Sequence, residues 1–151
     1  MSKFSIHLAA LLLIVSFFVV SCRENRIKFS SKSTLEMNAE QIVQQQLEAY
    51  NNRDIEAFSA LFSEEAEVLQ FPENRVLAKG KAQVKELYKK LFDNSPTLHS
   101  ELVSRTVLGN RIIDHEKITG RAGVDVLELA VVYEIEQGKI DKCLVIRQKK
   151  D

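Results

Sequence analysis

The hydrophobic period of this chain changes once, at Leu98, and that change restricts the architectures open to it. Before it, apolar residues recur three and four apart: Val43, Leu47 and Tyr50; then Ile55, Phe58, Leu61 and Phe62; then Val84, Leu87, Tyr88, Leu91 and Phe92. Each set forms one face of a helix. After it the period is two, most plainly through Leu127, Leu129, Val131, Tyr133 and Ile135. Arg111–Thr119 and Val124–Ile135 are rich in β-branched residues, which suit a half-buried pleated surface. Breaks at Gly109-Asn110, at Gly120 to Gly123 and at Gln137-Gly138 cut this half into four strands. Helices first and an antiparallel meander last define an α+β layout.

Local signals set the boundaries. Asn38 is an N-cap with Gln41 in the capping-box position. Asn51-Asn52-Arg53 breaks the first helix and Asp54 caps the second. Val68 to Phe71 reads as a short strand ending at Pro72, followed by a loop through Asn74. Gly80 precedes the third helix and Asn94-Ser95-Pro96 ends it.

The N-terminus follows different rules. Lys3, the apolar run Leu8 to Val20 and Ser21 have the order of a signal peptide, and the run is short of the about 20 residues of a membrane span. Val19-Val20-Ser21-Cys22 resembles the processing site of bacterial lipoproteins. That resemblance implies cleavage before Cys22 and lipidation of its thiol. Arg23-Glu24 lacks the aspartate that favours inner-membrane retention in Gram-negative lipoproteins, so the expected location is the cell envelope, at the outer membrane facing the periplasm. The organisation is then 1–21 signal peptide, 22–37 lipidated cysteine and flexible tether, and 38–151 one folded domain. Cleavage removes one lysine from 21 basic residues and none of the 21 acidic ones, so the mature chain is close to neutral. A nucleic-acid partner would call for a basic surplus. With Cys22 acylated, Cys143 has no partner for an intramolecular disulfide.

The stretch Leu47 to Val68, with its capped second helix, Leu61-Phe62, and Ala66 and Val68 leading into a strand, resembles a recurring segment of the nuclear-transport-factor-2-like superfamily, in its SnoaL-like and ketosteroid-isomerase-like branch. Gly80 before the third helix and Gln137-Gly138-Lys139-Ile140 before the last strand match too. The resemblance implies a cone: a curved, mostly antiparallel sheet with helices packed in its concave face, an apolar pocket at the open end, and a homodimer through the outer sheet face. It implies no single reaction, since the fold hosts enzymes and plain binding modules alike.

Aligned on Asp54 and Leu61-Phe62, the ketosteroid-isomerase base falls at Gln70, its tyrosine at Gln46 and its protonated acid at Val131. An amide is no base at neutral pH and valine donates no hydrogen bond, so isomerase catalysis is not expected. On the strand after Gly109-Asn110, His115 faces away from Asp114 and Glu116. The alignment turns His115 toward the pocket as a candidate general base or ligand contact. Asp114 and Glu116 then read as a solvated or dimer-facing pair. The expected ligand-binding set is Gln46, Tyr50, Gln70, His115, Val131 and Tyr133, with a small apolar molecule as partner. The histidines show no zinc spacing, and no phosphate loop or dinucleotide fingerprint is present, so neither metal nor cofactor is expected. Alternatives are a cyclase-, isomerase- or dehydratase-type enzyme using His115, or a protein-interaction module.

Overall fold

The computed structural model describes residues 37–148. The signal segment, Cys22, the tether up to residue 36 and the last three residues lie outside the described residues. The first helix, α1 (Ala39–Asn52), starts from the reciprocal capping box: Asn38 Oδ1 accepts from the Gln41 N–H at 2.9 Å, and Gln41 Oε1 accepts from the Asn38 N–H at 3.0 Å. Arg53 turns left-handed at φ 54° and ends it. Asp54 caps α2 (Ile55–Ala60), accepting from the Glu56 and Ala57 N–H groups. The third helix, α3 (Lys81–Asn94), begins at Gly80 without a side-chain cap.

Six strands follow in chain order: β1 (Phe62–Gln70), β2 (Arg75–Lys79), β3 (His99–Leu108), β4 (Arg111–Thr119), β5 (Val126–Glu136) and β6 (Lys139–Arg147). They form one sheet in the order β2-β1-β6-β5-β4-β3, with β1 and β6 parallel and every other pair antiparallel. The sheet is curved and not closed, and the helices pack against its concave face. The expected α+β cone and four-stranded meander are therefore present.

Two boundaries differ from the sequence reading. The first strand starts at Phe62, where Val68 was expected, because Leu61 already closes the short α2 and Phe62 pairs with Ile140. Its register then slips between Phe62 and Glu67, which breaks the alternation a sequence pattern would reveal. Between the expected loop, which ends at Asn74, and Gly80, a stretch to which the sequence assigns no element forms β2, an edge strand. Among its five residues only Ala78 is buried, so it carries almost no hydrophobic signal.

Under the concave face, Tyr50, Phe58, Phe62, Tyr88 and Phe92 form a continuous aromatic cluster, with the Phe58 and Tyr88 centroids 4.4 Å apart. It ties α1, α2, α3 and the start of β1 together. The cluster also forms one flank of the domain's interior cavity, through Tyr50 and Tyr88.

Candidate functional site

Between the sheet and helices α1 and α3 lies a cavity of about 110 Å³. Aliphatic side chains such as Leu47, Leu87, Leu91, Ile118 and Leu129 make most of its wall. At its closed end, strand alternation and one helix turn bring together Gln46 from α1, Glu116 from β4 and Tyr133 from β5, all buried. The Tyr133 hydroxyl lies 3.2 Å from Gln46 Oε1 and 3.3 Å from Glu116 Oε1, and its single proton serves one of them at a time. Ser100 Oγ donates to Glu116 Oε2 at 2.6 Å. The Ser100 backbone is pinned by Asn51, which accepts from its N–H and donates to its C=O.

Burial raises the Glu116 carboxyl above its usual range, against the opposing pull of the Ser100 hydroxyl. Burial likewise pushes up the hydroxyls of Tyr50, Tyr88 and Tyr133 and the Cys143 thiol. Cys143 is a buried wall residue, as its apolar neighbours in the sequence suggest.

The raised carboxyl has a measurable consequence. Between its unfolded and folded pKa, the native state holds a proton that the unfolded chain has released, so stability falls as pH rises through that window. Glu116→Gln removes this component. In urea denaturation, the stability of Glu116→Gln relative to the parent should improve as pH rises above the ordinary glutamate range and level off once the folded carboxyl has ionised. A difference independent of pH would mean that the carboxyl ionises alike in both states.

The sequence-expected residues divide. Gln46, Tyr50, Val131 and Tyr133 line the cavity. Gln70 does not, and its amide oxygen accepts a hydrogen bond from the Arg75 guanidinium at the sheet edge. The orientation expected for His115 is corrected: it lies on the outer face, 40% exposed, with Nε2 2.7 Å from Glu128 Oε1. Asp114 and Glu116, the supposed outward pair, face the interior. Ile112 and Ile118, buried on either side of them, fix that face, whereas His115 shares its side with Arg111 and Lys117. Asp114 is held by Arg105 through two 2.7 Å hydrogen bonds. Among the described residues no cluster of three metal-ligating side chains occurs, and no described helix is long and apolar enough to cross a membrane.

Two residues at the mouth had no sequence signal: Arg121, in the turn between β4 and β5, and Arg147, at the end of β6. Arginines in such places ordinarily read as solvated.

A six-stranded, curved, open sheet holding its helices and cavity in the concave face defines the cystatin-like, nuclear-transport-factor-2-like class. Within that class the chain belongs to the SnoaL-like domain family, whose model matches residues 43–142. No curated protein matches the sequence significantly. Solved structures share the fold. An uncharacterised cystatin-fold protein from Novosphingobium aromaticivorans is 20% identical with a TM-score of 0.69, over 74% of this chain and 99% of its own. A putative ketosteroid isomerase from Kribbella flavida is 14% identical with a TM-score of 0.65, over 75% and 79%. A hypothetical protein of ketosteroid-isomerase-like fold from Catenulispora acidiphila, in complex with trimethylamine, is 13% identical with a TM-score of 0.61, over 70% and 83%.

Proposed function

We propose that this chain is an envelope lipoprotein, anchored through Cys22, whose SnoaL-like domain binds a small, largely apolar molecule without ketosteroid-isomerase chemistry. The observation that carries this reading is the cavity: mostly aliphatic and aromatic walls, with a few polar groups converging at its closed end, which is how small-molecule sites are built. At about 110 Å³ it suits a compact molecule of a few non-hydrogen atoms. The trimethylamine bound to the Catenulispora protein is of that size. Against isomerase chemistry stand Gln70, an amide outside the cavity, and Val131, a hydrocarbon wall.

A homodimer through the outer sheet face is part of the same reading. There, Ile113, Val132 and Leu144 pair across β4, β5 and β6, and Ala130 and Ile146 pair in the next row. These partly exposed apolar rows are flanked by the Arg111–Glu134 ion pair and the His115–Glu128 hydrogen bond, an arrangement suited to a self-complementary seam.

An enzyme of cyclase, isomerase or dehydratase type is the second reading. It would work through Glu116, a buried carboxyl of raised pKa touching a tyrosine hydroxyl, since His115 lies outside the cavity.

The test is native mass spectrometry of the full-length expression product purified from membranes, before and after denaturation. The expected species is a dimer of chains that begin at an acylated Cys22 and release a small molecule on unfolding. An uncleaved, unacylated chain would sink the envelope anchor, a monomer would sink the dimer, and a species that releases nothing would count against a retained ligand.

A further inference from the structure

Six arginines lie among the described residues, and four of them hold an oxygen acceptor. Arg53 donates to the backbone, Arg75 to Gln70, Arg105 to Asp114 and Arg111 to Glu134. Arg121 and Arg147 hold none among the described residues, and both border the cavity. Burial, and then the nearby Arg121 guanidinium, push Arg147 below its usual range. Two like charges therefore share one mouth with no ion-pair partner among the described residues, an arrangement that costs stability unless an anion joins it.

A third group faces the same space. Tyr50 is only 6% exposed, yet its hydroxyl has no hydrogen-bond partner among the described residues. No sealed-off side-chain nitrogen or oxygen lacks a partner there, so this hydroxyl must stand open to the cavity it lines. Of the charges around it, the Glu116 carboxylate acts on it most, followed by the Arg121 and Arg147 guanidiniums.

We infer that Arg121, Arg147 and the Tyr50 hydroxyl form an anion cradle at the cavity mouth, and that the bound molecule is a small carboxylic acid held by its carboxylate with a compact apolar body inward. This rests on the small-molecule reading above and names the ligand's chemical class. A planar carboxylate matches the guanidinium fork, and the hydroxyl supplies a further donor. The body meets Leu87, Leu91 and Ile118. Glu116, the one acidic side chain of the lining, lies at the closed end occupied by Ser100 and Tyr133 and leaves the mouth positive. An amine would meet two cations there.

Three probes of matched size separate the possibilities: isobutyrate, its neutral isostere isobutyramide, and trimethylamine. Each is titrated at pH 7 into the ¹⁵N- and methyl-labelled chain from residue 23 onward, which keeps every described element. The solved Novosphingobium chain, matched over 99% of its length, folds with these elements alone. Isobutyrate should shift cavity methyl signals saturably and bind at least about tenfold more tightly than the other two, the effect of charge-assisted hydrogen bonds. Arg121→Gln, Arg147→Gln and Tyr50→Phe should each weaken isobutyrate while leaving isobutyramide nearly unchanged. Lysine at either arginine position should restore part of the loss. Isobutyramide or trimethylamine binding as tightly as isobutyrate overturns the anion cradle and leaves the small-molecule reading standing. No binding by any of the three overturns both for molecules of this size, and isobutyrate binding that survives all three substitutions overturns the assignment to these residues.

Discussion

Arg105→Leu should destabilise the domain by about 3–5 kcal/mol, the cost of leaving a buried charge without its partner. Asp114 is 0% exposed and the Arg105 side chain 9%. Nε and Nη2 of Arg105 reach the two Asp114 oxygens at 2.7 Å each, and Nη1 reaches Gln44 Oε1 on α1 at 3.1 Å. The arginine thus neutralises the carboxylate and ties the sheet to the first helix. Deleting the guanidinium leaves the carboxylate, 0% exposed beneath it, without its partner beside Ile112 and Val131. Replacing both residues, Arg105→Leu with Asp114→Leu, should recover most of the loss, because two apolar side chains need no desolvated charge to be compensated. Urea denaturation of the parent, both single variants and the double variant closes this cycle. A loss below about 1 kcal/mol for Arg105→Leu would mean that water reaches Asp114, and the pair would then count for little, as exposed pairs do.

The same strand shows how far sequence reasoning reaches. Alternation alone establishes that His115 opposes Asp114 and Glu116, but not which side faces inward. Charges on both faces made the choice depend on alignment to distant relatives, and the alignment chose the wrong side. The decisive signal was nearer: Ile112 and Ile118 bracket the acidic pair, whereas Arg111 and Lys117 accompany the histidine. A buried acidic pair looks improbable until its partners are known, and those come from β3, where Ser100 and Arg105 sit across the ladder. Such pairings are non-local and leave no mark in a linear pattern.

What was legible was local. The capping box at Asn38 and Gln41, the cap at Asp54 and the turn glycines are decided within a few residues, and the structure has them. The edge strand β2 escaped because its four other residues are not buried, so no periodic selection acts on them. Arg121 and Arg147 escaped for a different reason. Their significance lies in the acceptors they lack, which only the assembled fold displays.

Gly120→Ala should be among the most damaging single substitutions in the chain, with a loss of about 3 kcal/mol or more. Gly120 takes φ +68°, and a Cβ there would stand 2.0 Å from the Thr97 carbonyl oxygen and 2.4 Å from its carbon. Those are backbone atoms and cannot rotate away. Nor is their segment free to retreat: Leu98 is buried, its N–H donates to the Ser95 carbonyl, and Ser95 Oγ accepts from the Ala122 N–H across the contact. Gly109 and Gly123 supply the control. Both have positive φ, at +64° and +78°, but nothing within 4 Å of the added atom. Alanine at either should cost only the conformational strain, about 1–2 kcal/mol. The excess at Gly120, read by urea denaturation of the three variants, therefore measures how firmly the Ser95–Leu98 turn grips the loop that carries Arg121. Equal losses at all three positions would show a loop that yields. The guanidinium at the cavity mouth would then have no fixed place from which to select a ligand, because pre-organisation requires that the backbone beneath it cannot move.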